Sequence, residues 1–179
     1  MSLFMQSKTR KITLFELALF AMYGALMFIS KILLEFLPNV HLIGMFIVLF
    51  TVIYRAKALI PIYVFVFVTG FFNGFNLWWV PYLYIWAILW GFSMLIPRNA
   101  PAKVLIIVCP IVCSLHGFLY GTLYAPFQAI AFGLDFKETI AWIIAGIPFD
   151  IVHGVSNFAV GLLVFPLVKV LRKINAQSL

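Results

Sequence analysis

Long apolar stretches, separated by short polar or turn-forming segments, make up most of the chain. Six of them lie at about residues 12–35, 40–54, 58–73, 80–96, 103–131 and 138–170. A helix needs about 20 residues to cross the hydrocarbon core of a bilayer. The pattern therefore predicts an all-α membrane protein, a six-transmembrane-helix bundle that forms one domain over residues 1–179.

Two neighbouring ridges run along the fifth stretch. Small residues recur at every fourth position, at Cys109, Cys113, Gly117, Gly121, Ala125 and Ala129. One position earlier runs a polar ridge, His116, Tyr120, Tyr124 and Gln128. Small residues let helices approach closely within a membrane, which predicts that this helix lies inside the bundle. The polar ridge then faces partner groups or a water-accessible cavity, because facing hydrocarbon is costly.

The sixth stretch contains a proline and, just after it, a polar face. Pro148 predicts a kink near the middle of the helix. Asp150, His153 and Asn157 follow at i, i+3 and i+7 and share one side. Ionisable residues at this depth are expensive and mark a functional site by default. The alternative is an Asp150–His153 pair that only locks helix 6 to helix 5.

The first stretch carries a capping signal and a small-residue pair. Thr13 followed by Glu16 fits a capping box at the helix start. Ala21 and Ala25 form an AxxxA surface that another helix could approach, and taken alone the pair is more simply explained by ordinary packing within the chain. Near the outer end, Lys31 and the residue four positions later, Glu35, are spaced to form an ion pair.

Aromatic residues with polar tips gather around the start of the fourth stretch. Trp78 and Trp79 lie in a loop with turn signals, and Tyr82, Trp86 and Trp90 follow within the next helix. Interfacial anchoring is the usual role of such tryptophans. Their number favours a second role in a binding site.

Composition and charge sharpen this interpretation. Hydrophobic residues make up 65 % of the chain and charged residues 9 %, which excludes an ordinary soluble domain. Alternating helices place ten basic residues on one side of the membrane: Lys8, Arg10, Lys11, Arg55, Lys57, Arg98, Lys103, Lys169, Arg172 and Lys173. The positive-inside rule then puts both the N- and the C-terminus in the cytoplasm. The net charge of +7 therefore indicates topology and not nucleic-acid binding.

No catalytic, metal or cofactor motif emerges from the residues. The three histidines lie on separate segments without a ligand spacing, and the two cysteines suffice as small packing residues. Ser114 and Ser156 have nearby histidines but no nucleophile turn. The chain contains no Walker A sequence for ATP hydrolysis. We therefore predict a protein that is not an enzyme and has no cofactor or metal.

The whole chain resembles the S component, the substrate-binding membrane subunit, of an energy-coupling factor (ECF) type ABC transporter. The resemblance rests on size, topology, the Ala21/Ala25 pair and the run from Ile147 to Asn157. It implies a protein of the bacterial plasma membrane that takes up a vitamin from outside. It also implies docking through Ala21 and Ala25 on the transmembrane protein EcfT, with two EcfA-type ATPases that hydrolyse ATP and cause the S component to topple.

The resemblance also implies where a ligand would bind, beneath the loops after helices 1, 3 and 5 and against the outer halves of helices 4 to 6. The substrate-binding residues expected there are Lys31, His41, Asn73, Asn76, Trp78, Trp79, Tyr82, Trp86, Tyr120, Tyr124, Gln128, Trp142, Asp150 and His153.

The small number of basic residues on the predicted outer side limits which substrates the chain could bind. An anionic vitamin such as pantothenate or biotin would need a fixed cation, and only Lys31 and Lys137 are available. Rings and amides suit riboflavin or a corrinoid better. The chain looks closest to cobalamin-specific S components of lactic-acid bacteria, so cobalamin is the first expectation. Another vitamin, or a membrane scaffold or assembly factor that transports nothing, stays open.

Overall fold

The computed structural model describes residues 12–177, whose regular structure consists entirely of helices. The α-helices are α1 (Leu14–Leu33), α2 (Ile43–Tyr54), α3 (Leu59–Asn73), α4 (Tyr82–Met94), α5 (Ala102–Phe118), α6 (Tyr120–Phe132), α7 (Phe136–Gly161) and α8 (Val164–Gln177). Short 3-10 helices, Arg55–Ala58 and Leu77–Trp79, precede α3 and α4. The all-α prediction is confirmed.

Five stretches of the described chain are long and apolar enough to cross a membrane: Leu14–Leu33, Ile43–Asn73, Leu77–Met94, Ala102–Phe132 and Phe136–Gly161. The chain is thus a multi-pass membrane protein. The second stretch has 31 residues because it contains both α2 and α3. Six predicted spans therefore correspond to five long stretches.

The first helix begins as its sequence predicts. The backbone N–H of Glu16 donates to the Thr13 hydroxyl at 3.1 Å, and the Thr13 N–H donates to the Glu16 carboxylate at 3.0 Å. This capping box satisfies two N–H groups at the start of α1. The prediction of a Lys31–Glu35 ion pair is wrong, because the two side chains do not pair in the described residues. Since α1 ends at Leu33, Glu35 no longer lies one helical turn above Lys31.

Helix α2 runs antiparallel to α1. The ring of Phe20 lies 5.1 Å from that of Tyr54, at the end of α2. One turn further along α1, Tyr23 stacks on Phe50 at 4.6 Å, one turn earlier in α2. The chain changes direction after α2 at Arg55, whose backbone has a φ angle of 57°.

Helix α3 runs parallel to α1. Lys57, just before α3, forms an ion pair with Glu16 at 2.7 Å, and Phe72 near its end lies 5.0 Å from Phe28. Together α2 and α3 form a helical hairpin of 12 and 15 residues. Each limb is only about 18 to 22 Å long.

Arg55 joins this hairpin to the end of α4. Its guanidinium donates to the carbonyls of Met94 at 2.6 Å and Ile96 at 2.7 Å, and its own carbonyl accepts the indole N–H of Trp90 at 3.1 Å. The last carbonyls of a helix lack partners within the helix, so a fixed arginine stabilises this end. Arg55 therefore has a structural role besides its contribution to topology.

The fifth and sixth predicted helices are each divided in two. The fifth breaks at Leu119, between α5 and α6. The sixth continues without a break past Pro148 and ends at Gly161. Its break falls just before Pro166, which lies in the first turn of α8 and cannot donate a hydrogen bond to the carbonyl of Leu162.

Helices α5 and α7 meet through glycine. A Cβ placed on Gly117 would lie 2.8 Å from the Cα of Gly154, and one on Gly161 would lie 2.7 Å from the Cα of Pro110. These distances leave no room for a side chain. The prediction that the small-residue ridge of the fifth helix packs inside the bundle is confirmed.

Replacing Gly117 by alanine should destabilise the bundle. We expect Gly117→Ala to lower the free energy of unfolding by about 1 to 3 kcal/mol, because the new methyl group overpacks the backbone of α7. Gly146→Ala is the control, since a Cβ at that position of α7 would meet no atom within 4 Å apart from the adjacent residues and backbone of its own helix. Thermal unfolding in detergent measures both variants. Equal stability of Gly117→Ala and the unmodified protein would contradict the close contact.

Candidate functional site

Three histidines that are far apart in the sequence meet inside the bundle. His41 lies in the loop between α1 and α2, His116 in α5 and His153 in α7. The ring of His41 lies 4.6 Å from that of His153 and 5.9 Å from that of Trp86. Tyr120 closes the group, 4.8 Å from His153 and 6.1 Å from His116. We refer to His41, Trp86, His116, Tyr120 and His153 as the histidine cluster.

Helix positions bring the cluster together. Trp86 lies in the middle of α4 and faces the last turn of α5, where its ring is 5.6 Å from that of His116. The Gly117–Gly154 contact holds the neighbouring His116 and His153 on helices that touch backbone to backbone. The cluster is thus a direct consequence of the α5–α7 contact and of the α4 register.

The cluster is buried yet incompletely hydrogen-bonded. Trp86 and His116 are each 2 % exposed and His153 is 3 % exposed. Among residues 12–177, the buried side-chain atoms without a hydrogen-bond partner are His41 Nδ1, Trp86 Nε1, His116 Nδ1, His153 Nε2, and Nδ2 and Oδ1 of Asn157. Each such atom costs about 1 to 3 kcal/mol unless something else satisfies it. All but the Asn157 pair belong to the histidine cluster.

Burial keeps the loop histidine uncharged at neutral pH. Burial, with smaller effects of the nearby His116 and Lys31, lowers the pKa of His41 from its ordinary value to about 4. At pH 7 the His41 ring therefore offers one donor and one acceptor and no charge.

A layer of aromatic side chains connects the histidine cluster to the α3–α4 loop. The rings of Trp78 and Tyr82 are 5.5 Å apart, and Tyr82 is 5.4 Å from Trp86. On the other side Tyr124 stacks on Trp142 at 6.0 Å, and the Tyr124 hydroxyl donates to the carbonyl of Trp78 at 3.0 Å. Eight predicted site residues are thus brought together: His41, Trp78, Tyr82, Trp86, Tyr120, Tyr124, Trp142 and His153.

The other predicted site residues lie outside this group of rings. Asn73 and Asn76 are exposed around the turn that follows α3, and Lys31 and Gln128 are partly buried on α1 and α6. Trp79 packs on α3, where its indole N–H donates to the carbonyl of Val66 at 2.8 Å. No hydrogen bond or ring contact in the described residues joins these five side chains to the histidine cluster, and Lys31 acts on His41 only through its charge.

Asp150 caps a helix. Its two carboxylate oxygens accept the backbone N–H of Gly121 at 3.0 and 3.1 Å, at the start of α6. A carboxylate is favourable at a helix N-terminus, and this contact explains the break at Leu119. Asp150 does connect the sixth predicted helix to the fifth, but through the backbone of Gly121 and not through His153.

Two residues of the site are absent from the predicted set, His116 and Asn157. Both belong to polar faces that the sequence shows, the ridge through Tyr120 and the face through His153. In the structure both are buried, at 2 % and 1 % exposure, and carry unpartnered atoms. Their polar periodicity on otherwise apolar helices is the signal that could have identified them.

The two serines considered as nucleophiles are hydrogen-bonded to carbonyls. Ser114 donates to Gly154 at 3.0 Å, and Ser156 is 3.0 Å from the carbonyls of both Asn39 and His153. Neither hydroxyl is bonded to an imidazole in the described chain. No group of three or more His, Cys, Asp or Glu side chains in residues 12–177 is arranged to hold a metal ion.

An apolar groove of about 510 Å³ lies between α4 and α5. It extends from Pro97 and Val104 to Leu119 and reaches His116 at that end. Its aliphatic walls suit hydrocarbon and do not suit a polar vitamin. This groove is therefore not the predicted outward-opening cavity, which stays a prediction.

Comparison of the chain with protein-family models, curated proteins and solved structures found no match.

The helix-capping role of Asp150 can be separated from a role in ligand binding. We expect Asp150→Ala to lower the free energy of unfolding by about 1 to 2 kcal/mol, because it removes the cap of α6. Asp150→Asn keeps an acceptor for Gly121 and should lose less. Thermal unfolding measures the stability, and equilibrium binding of a vitamin measures the site. An Asp150→Asn variant with normal stability but no binding would instead place the carboxylate on the ligand.

Proposed function

We propose that the chain is the substrate-binding subunit, the S component, of an ECF-type vitamin transporter in the bacterial plasma membrane. The observation that carries this proposal is the buried, aromatic histidine cluster with its unpartnered polar atoms. A membrane protein that only had to hold helices together would satisfy such atoms or replace them with apolar groups. A ligand that enters the bundle would supply the missing hydrogen bonds.

Contacts at one end of the bundle support six passes with both termini in the cytoplasm. The Glu16–Lys57 ion pair and the Arg55 contacts with the end of α4 lie at helix ends, and Arg172 of α8 donates a 3.0 Å hydrogen bond to the carbonyl of Arg98, in the loop after α4. These basic residues gather at that end, and the positive-inside rule assigns it to the cytoplasm. The α2–α3 hairpin would then provide two short passes.

The surface of α1 supports docking on EcfT. Ala21 and Ala25 are exposed, whereas Gly24 between them faces α3, where a Cβ would lie 2.6 Å from the Cβ of Val64. The alanine pair is therefore not used for packing within the described chain. A smooth strip of this kind allows a partner helix to approach closely. ATP hydrolysis would occur in the two EcfA-type ATPases and not in this chain.

Cobalamin is the first substrate to test. The histidine cluster and the aromatic layer offer rings and uncharged hydrogen-bonding groups, which suit a corrinoid with its amide side chains or a flat heterocycle such as riboflavin. Pantothenate is less favoured, because an anion would need a fixed cation, and Lys31 and Lys137 are the only basic residues on the predicted outer side.

Uptake tests the transporter proposal. Cells without their own cobalamin route would express this chain alone or together with an EcfT and its two ATPases. We expect labelled cobalamin to enter only when the partners are present. Absence of uptake from assembled complexes would remove cobalamin, and a panel of other vitamins would then separate a different substrate from a scaffold that transports none.

Bulky substitutions on the α1 surface test docking. Ala21→Leu and Ala25→Leu should reduce uptake at least tenfold while binding to the isolated chain persists, because the leucines hold EcfT away. Ala159→Leu is the matched control, since Ala159 is an exposed alanine on α7. Normal uptake in both α1 variants, or an equal loss in the control, would contradict docking through this surface.

A further inference from the structure

We propose that Trp86 and His116 recognise an N–H/C=O edge of the substrate, the pattern found in a carboxamide, a lactam or an ureide. This inference rests on the proposed substrate-binding function and names the chemical class that the site reads. It follows from which of the unpartnered atoms in the histidine cluster can donate and which can accept.

His116 presents an acceptor. Its Nε2 lies 3.2 Å from the carbonyl oxygen of Ile85, and a carbonyl can only accept, so the proton is on Nε2. No carboxylate forms an ion pair with His116 in the part of the chain that the structure describes, so nothing there stabilises a second proton on its ring. A buried imidazole without such a partner is neutral. The unpartnered Nδ1 of His116 therefore carries a free lone pair.

Trp86 presents a donor. An indole N–H cannot accept, and Nε1 of Trp86 has no partner although the residue is 2 % exposed. The Trp86 and His116 rings lie 5.6 Å apart and are inclined by 34°. One unpartnered donor and one unpartnered acceptor thus belong to two neighbouring buried rings.

An N–H/C=O edge complements this pair. Its carbonyl would accept from Trp86 and its N–H would donate to His116. A carboxylate offers acceptors only, so one oxygen would face the lone pair of His116 in a buried site. Sites built to hydrogen-bond a polar group reject analogues that leave that group unpaired.

The surrounding rings restrict the shape of the recognised edge. Tyr82 and Tyr120 lie 5.4 and 5.8 Å from Trp86 and border it on two sides. Such walls favour a flat group that can contact aromatic faces. Asn157, also buried, offers a second unpartnered donor and acceptor of the same kind.

Matched ligands test the inference through equilibrium binding to the purified chain. Three pairs differ mainly at the relevant edge: cyanocobalamin and its monocarboxylic acid derivatives, riboflavin and 3-methylriboflavin, and nicotinamide and nicotinate. We expect the member with the intact N–H/C=O edge to bind at least tenfold more tightly in any pair that binds. Equal affinity, or tighter binding of the altered member, would overturn the inference.

Two substitutions of His116 isolate its acceptor. His116→Gln keeps a donor near Ile85 and removes the Nδ1 acceptor, and we expect the affinity ratio within a pair to fall to about threefold or less. His116→Asn keeps an acceptor near the Nδ1 position and should retain the ratio. If ordered water satisfies Nδ1 and the role is only structural, both variants lose stability and leave the ratio unchanged, which would overturn the inference.

The outcomes also separate this inference from the proposed function. Partner-dependent uptake of a vitamin that lacks an N–H/C=O edge would overturn the recognition by Trp86 and His116 while supporting the transporter. Absence of both binding and partner-dependent uptake across the panel would overturn both.

Discussion

The close contact between α5 and α7 is the constraint on which the rest of the structure depends. Gly117 and Gly154 bring the two backbones together where any side chain would collide. In lipid, where apolar burial contributes little to helix association, such contacts are a main source of stability. The same contact fixes His116 and His153 on adjoining helices, so the packing that stabilises the bundle also builds the histidine cluster.

The unpartnered polar atoms of the histidine cluster destabilise the folded protein. Six buried polar atoms in and beside it have no partner within the described chain, and each is unfavourable in the absence of a ligand or water. Asp150 shows the contrast, since both oxygens of its carboxylate accept a hydrogen bond from the backbone at the start of α6. Polar groups with a structural role are satisfied here, whereas the polar groups of the cluster are left open. This difference is the physical basis for assigning the cluster to a ligand.

Local signals predicted much of the fold. The capping box of Thr13 and Glu16, the helical class and the packing of the Gly117 ridge follow from spacing alone, and all three are confirmed. The break at Leu119 could not be predicted in this way. It depends on the Asp150 carboxylate, which lies 29 positions away from Gly121 in the sequence and becomes a cap only after α7 has packed.

The sequence predicted the types of residue that form the site better than it predicted the individual residues. Aromatic and polar residues of α4, α6 and α7 were expected together, and Trp86, Tyr120 and His153 do meet. His116 and Asn157 were not assigned to the site, because a polar residue on an apolar helix does not reveal whether the fold will satisfy it. Trp79 was assigned to the site, but it bonds to Val66 instead. Only tertiary contacts distinguish an open polar group from a satisfied one.

The substitution His153→Leu tests the central claim most directly, because it removes the unpartnered Nε2 and keeps a buried side chain of similar size. Two quantities would be measured on the purified protein, the free energy of unfolding and the affinity for the vitamin identified by uptake. If the cluster exists to bind a ligand, the free energy of unfolding stays the same or rises while the affinity falls at least tenfold. A less stable variant with unchanged affinity would contradict the account and show that His153 only supports the fold.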